Sequence, residues 1–300
     1  MADAGGRTSL RSEAERPQAT SSSTQVDLRS LLPATEPDRI VDDWGRSERV
    51  AGWLDKLLVD FFFDVWFRVD VEGLEHVPDA GPALLVSNHS GALPPDAPLI
   101  MKAVREQHPR HRDVRMLVEH FFKGYPGFSM LLPKIGAVPA HPANVQRLLG
   151  DEGGLALVFP EGRKGTEKLY RDRYKLRRFG RGGFVEAAMR AKAPIVPVAV
   201  VGVEEAAPVF GQLELLKKLT GLIYFPITPT FPWLGIIPGG LMYLPSKVTI
   251  RFLPPVPTDD LGDRAWEDRG LVQTIANDIR ATIQEELFDM VGKRRSVWLG

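Results

Sequence analysis

ALLVSNHSGALPPDAPLI, residues 83–100, carries an apolar strand into a polar loop and then into the start of a helix. Ala83–Ser87 is short and uninterrupted, the pattern of a strand covered on both faces. Ser87-Asn88-His89 ends it. After the Leu93-Pro94-Pro95 loop, Asp96 stands just ahead of a helical pattern at Ala97–Glu106, where a carboxylate caps free N–H groups. Strand, loop and returning helix form the repeating unit of an α/β domain.

Outward from this stretch the same unit recurs. Arg68–Glu72, Arg115–Glu119, Leu155–Phe159, Ile195–Val201 and Lys247–Phe252 are further apolar runs of strand length, and Ala143–Leu149 and Gly183–Ala191 are helical patterns between them. The alternation predicts a single α/β domain with a largely parallel mixed sheet flanked by helices. Ligands of such sheets bind beyond the carboxyl ends of the strands, which is where His89 stands. A last helix over about 264–292 carries the stripe Leu271, Ile275, Ile279, Ile283 and Leu287, the mark of a helix docked on its own domain.

Three segments flank this core. Residues 1–45 are rich in Ser, Arg, Glu, Thr and Pro and are expected to be disordered, leaving 46–300 as the folded domain. The N-terminus has no apolar core and does not read as a secretory signal. In residues 48–67, ERVAGWLDKLLVDFFFDVWF, the residues Trp53, Leu54, Leu57, Leu58, Phe61, Val65 and Trp66 recur at helical spacing. The stripe suits either a helix packed on the core or one lying in a membrane interface. Residues 219–245 are apolar but broken by Pro and Gly, and fit either lipid contact or core. No run of about 18 apolar residues predicts a spanning helix.

Composition removes several classes of chemistry. The chain has 300 residues, a formal net charge of zero and no cysteine. Neutrality gives no argument for nucleic acid, and the lack of cysteine excludes thiolate–metal sites and a thioester enzyme intermediate. No metal ligand set is expected. His89 itself supports two readings. Its imidazole can take a proton from an alcohol, with Asp96 fixing the tautomer, or the pair can be a structural His beside a capping Asp. Ser90 does not form a G-x-S-x-G elbow, because Asn88 and Ala92 occupy the glycine places. LALVFPEGRKGT, residues 155–166, ends a strand in a turn with Gly162, Arg163 and Lys164, suited to an anion or to solvent. APIVPVAVVG, residues 193–202, places Pro197 inside an apolar run, which predicts an irregular strand or an edge.

Taken in order, these segments resemble the glycerolipid acyltransferase family, whose lysophosphatidic acid acyltransferases share the blocks His-x4-Asp, a Gly-containing block with Arg, Phe-Pro-Glu-Gly-Thr-Arg, and a Val-Pro-Val strand. Here the blocks are His89 to Asp96, Gly136-Ala137-Val138-Pro139, Phe159-Pro160-Glu161-Gly162-Arg163-Lys164, and Ile195-Val196-Pro197-Val198. The resemblance spans about 68–255. It implies the family's fold, with His89 and Asp96 as catalytic residues and Glu161, Gly162, Arg163, Lys164 and Pro197 around the substrates. Two departures stand out. Six residues, not four, separate His89 from Asp96, and the second block's Arg is absent near His141-Pro142. In the family that Arg helps hold the acceptor's phosphate, so its absence points away from a glycerophosphate acceptor. Arg171, Arg173, Lys175, Arg177, Arg178 and Arg181 form a basic run, read as a solvated face or a contact for anionic lipid.

The resemblance implies transfer of a fatty acyl group from acyl-CoA or acyl carrier protein, as co-substrate and without a bound cofactor, to a hydroxyl of a lysophospholipid or other glycerolipid. The expected location is the cytoplasmic, inner face of a membrane, with the lipid surface and the thioester carrier as partners. A catalytically weak lipid-binding protein and an esterase are the competing readings.

Overall fold

The computed structural model describes residues 41–90, 94–119, 126–213, 226–229, 243–262 and 264–300. Most of the expected disordered segment and most of 219–245 lie outside the described residues. The sequence boundary at 45 falls inside folded chain: Val41 bridges to Ser47, and Trp44 donates from Nε1 to Glu152 at 2.8 Å.

The main sheet has seven strands. In chain order they are β1 Asp70–Glu72, β2 Ala83–Ser87, β3 Val114–Val118, β4 Ala137–Pro139, β5 Leu155–Val158, β6 Ile195–Val201 and, after a small hairpin of β7 Gly211–Gln212 and β8 Pro226–Ile227, β9 Thr249–Phe252. Spatially they run β1-β9-β6-β2-β5-β3-β4. All neighbours are parallel except β6 and β9. β2 therefore lies mid-sheet between β5 and β6, and its carboxyl end is walled by the exits of both.

The apolar run of β2 is buried throughout because both faces are covered. Ala83 and Leu85 point into one core, with Leu99, Ile100, Ala103 and Val104 of the helix Asp96–Gln107. Leu84 and Val86 point into the other. The period of two sends alternate residues to opposite layers. The expected helices are present as α1 Glu48–Leu54, continuing in wider turns to Trp66, α2 Asp96–Gln107, α4 Pro142–Gln146, α6 Gly183–Arg190 and α8 Arg269–Lys293, and three that the sequence reading did not mark join them: α3 Pro126–Lys134, α5 Arg163–Thr166 and α7 Val203–Ala206. Asp268 caps α8 by accepting from Gly270 N and Leu271 N. Ile279, Ile283 and Leu287 of its stripe are fully buried in the second core.

Pro197 sits in β6, which is central rather than an edge. The irregularity is in its neighbour. Val198 pairs with Phe252 while Ile195 pairs with Val256, so three residues, 253–255, stand opposite two. This is a bulge. The Pro197 carbonyl accepts from Leu253 N at 2.8 Å, which turns the missing N–H of Pro197 toward the interrupted stretch.

Of the two readings of segment 48–67, packing of the apolar stripe on the core is not what the structure shows. The stripe found by spacing is mostly outward: Trp53 is 61% exposed, Leu57 53% and Val65 60%. Two aspartates between these residues turn toward the neighbouring helix. Asp55 pairs with Arg105 at 2.9 Å and Asp60 with the buried Lys102 at 2.8 Å, both on α2. Phe63 and Phe67 supply the apolar anchor to the first core.

Candidate active site

His89 leaves β2 where β5 and β6 also end. Its partner comes from the next element. The imidazole Nδ1 lies 2.9 Å from Asp96 Oδ2, so the longer loop does close the pair. Asp96 is the first residue of α2 and is fully buried. Its Oδ1 accepts from Ala97 N at 2.9 Å, and its Oδ2 accepts from Ser90 N at 3.3 Å as well as from His89. An ionised carboxylate only accepts, so Nδ1 carries the proton and Nε2 holds the lone pair. Among the described residues nothing bonds Nε2. The ring stacks on Phe159, with centroids 4.2 Å apart, and its side chain is 19% exposed.

The strand exit is held by groups that motif reading passes over. Asn88 is fully buried, and its side chain continues the β ladder: Oδ1 accepts from Val200 N at 2.8 Å and Nδ2 donates to Val200 O at 3.0 Å. An amide can mimic a peptide unit in this way, which leaves His89 at the end of a rigid strand rather than on a loose loop.

The Phe-Pro-Glu-Gly turn lies on the β5 side. Glu161 is turned into the protein: Oε1 accepts from His89 N at 3.3 Å and Oε2 from Arg177 N at 2.7 Å. Gly162 adopts φ 54° and ψ −147°, a conformation almost confined to glycine, and its N–H is taken by Phe159 O at 2.9 Å. Arg163 and Lys164 open α5 and are exposed, with Arg163 3.0 Å from Glu167. Of the expected site residues, the structure thus gathers His89, Asp96 and Glu161 by direct contact, keeps Arg163 and Lys164 on the nearby surface, and buries Pro197 within the sheet. At the second block, His141 caps α4 by accepting from Ala143 N at 3.2 Å, and Pro142 is its first residue. An apolar cavity of about 280 Å³ opens there, on the core face opposite Phe159, between α4 and α6.

Gly165 lets α5 pack against the His89 loop. A Cβ there would lie 2.9 Å from the His89 carbonyl and 3.1 Å from His89 Cβ. Gly165→Ala is expected to displace His89 and destabilise the fold by about 1–3 kcal/mol. Urea unfolding together with turnover checks this, and unchanged turnover would mean that α5 shifts instead.

The family model described as acyltransferase matches residues 68–201, which contain every block quoted above. An uncharacterized protein of Mycobacterium tuberculosis is 41% identical over 293 residues, covering 94% of this chain and 81% of that one. The chain belongs to the acyltransferase family. A human relative described as a DGAT1/2-independent enzyme synthesizing storage lipids is 30% identical to this acyltransferase over 196 residues, 65% of this chain and 56% of that one. The crystal structure of the lysophosphatidic acid acyltransferase PlsC from Thermotoga maritima aligns with a TM-score of 0.48 at 18% identity, covering 76% and 73% of the two chains. Among the described residues of this acyltransferase, no helix is long and apolar enough to cross a membrane.

Proposed function

We propose that this acyltransferase moves a fatty acyl group from a thioester, acyl-CoA or acyl carrier protein, to the hydroxyl of a neutral glycerolipid at a membrane surface. The observation that carries the reading is the His89–Asp96 pair, buried on the Asp side and open at Nε2. Nε2 takes the proton of the acceptor hydroxyl as its oxygen attacks the thioester carbonyl. Asp96 stabilises the imidazolium that results. Collapse of the tetrahedral intermediate breaks the C–S bond, and the imidazolium returns the proton to the departing thiolate.

Two observations support a neutral acceptor. The place of the family's phosphate-holding Arg is occupied by the His141-Pro142 start of α4. The human relative's description as an enzyme synthesizing storage lipids points the same way. The outward Trp53, Leu57 and Val65, with Met130 70% exposed on α3, support peripheral docking on a lipid surface.

The test offers vesicles containing monoacylglycerol, diacylglycerol or lysophosphatidic acid at equal surface density, with acyl-CoA as donor and mass spectrometry as readout. The expected products are the acylated neutral lipids, in excess over phosphatidic acid. A charge-assisted bond to phosphate contributes about 1.5–3 kcal/mol, so a clear preference for lysophosphatidic acid would mean that other cations replace the missing Arg. Free fatty acid as the main product would favour an esterase.

A further inference from the structure

Glu161 and Glu204 grip the His89 segment from opposite sides. Glu161 follows β5, Glu204 follows β6, and β2 lies between these strands. Glu161 Oε1 accepts the His89 N–H at 3.3 Å. Glu204 Oε1 lies 3.5 Å from the hydroxyl of Ser90, whose own N–H is held by Asp96. Both carboxylates are buried, and neither reaches solvent to recover its hydration. One ammonium joins them. Lys168 Nζ is 3.1 Å from Glu204 Oε1 and 3.5 Å from Glu161 Oε2, with its side chain 1% exposed. Among the described residues no other cationic side chain pairs with either carboxylate.

We infer that Lys168 is a positioning residue for His89, bridging the two carboxylates that hold His89 and Ser90 in register with Asp96. The inference rests on the acyl-transfer reading of His89 and adds to it a residue that no motif marks. The physical reason is charge balance. Two buried carboxylates with one cation between them are tolerable; without the cation they repel and must be protonated, hydrated or moved apart. Burial already pushes the Glu204 carboxyl up, opposed by Lys168 and by the Tyr174 N–H at 3.0 Å. Any such rearrangement acts first on the groups the carboxylates hold, which are His89 N and the Ser90 hydroxyl. A second buried ion pair nearby serves as a comparison. Glu205 lies 3.4 Å from Arg294, the C-cap of α8, which donates to Ser246, Lys247 and Val297.

The experiment uses the full chain and four variants: Lys168→Met, Lys168→Met with Glu204→Gln, Ser90→Ala and Arg294→Met. Two quantities are read. One is steady-state transfer from acyl-CoA to the acceptor lipid. The other is the rate at which diethyl pyrocarbonate modifies His89, followed by peptide mass spectrometry. For Lys168→Met, kcat is expected to fall by about tenfold to a hundredfold, as misplacement of a base does. KM for the donor stays within about twofold. His89 is modified about threefold faster or more, because its segment opens locally. The double variant, with net charge restored, recovers most of both. Ser90→Ala shifts both quantities the same way by a smaller factor, and decides the matter if Lys168→Met does not fold. Arg294→Met lowers thermal stability and leaves both unchanged. Wild-type kcat and modification rate in Lys168→Met would overturn the inference, as would equal effects in Arg294→Met. If the wild type transfers no acyl group, the proposed function fails, while the modification rates still decide whether Lys168 positions His89.

Discussion

His89→Ala is expected to reduce acyl transfer by about 10²–10⁴-fold with the fold intact, the range typical for loss of a general base. The size of the effect follows from what else the site offers. The acceptor hydroxyl must lose its proton as it attacks, and among the described residues no other imidazole stands at the carboxyl end of β2. Asp96 cannot substitute, since both its oxygens are occupied by His89, Ser90 and Ala97. The fold should tolerate the change because the side chain is partly exposed and Asn88, not His89, ties the strand exit to β6. Loss of the Phe159 stack is a local cost. The measurement is kcat with acyl-CoA and the preferred acceptor, beside a thermal unfolding curve. Near wild-type turnover in a folded His89→Ala protein would remove His89 from the mechanism.

Asp96→Asn is expected to lower kcat by on the order of 10²-fold or more while donor KM changes little. Three N–H groups share the two oxygens of Asp96. Asp96 Oδ1 accepts one N–H, from Ala97, and Oδ2 accepts two, from His89 and Ser90. An amide has only one oxygen. If that oxygen stays toward His89 and Ser90, the NH₂ faces the Ala97 N–H, donor against donor. If the amide flips, its NH₂ faces the Ser90 N–H and drives His89 into the tautomer with Nε2 protonated, which cannot act as the base. Either way a buried donor loses its partner, costing about 1–3 kcal/mol, and the imidazolium loses its counter-charge. Equilibrium unfolding and kcat on the same preparation separate the two losses. A variant that loses stability but keeps turnover would show that Asp96 only caps α2.

Spacing and residue type left directions open that only packing decided. The segment 48–66 is helical, and its apolar stripe faces outward because Asp55 and Asp60 find Arg105 and Lys102 on the later helix α2. Periodicity records which residues share a face and does not record what that face meets. Pro197 signalled an irregular strand, but the bulge is in residues 253–255 across the pairing. Glu161, which the resemblance places around the substrates, also accepts the His89 N–H, a contact no motif marks. Lys168, Glu204 and Asn88 carried no signal, since a lone buried polar residue is recognisable only by its partners.

What the sequence determined by itself was the set of buried strands, their alternation with helices, and the ordered blocks from His89 to Pro197 that mark the family. Those are local properties, written in runs of apolar residues and in the turns that end them. Only the tertiary structure decided that six intervening residues still bring Asp96 within 2.9 Å of His89. It alone set β2 between β5 and β6, so that Glu161 and Glu204 converge on one segment with Lys168 between them. The reason is physical: a strand's neighbours are chosen by long-range pairing and shared burial, and no window along the chain contains both partners of such a contact.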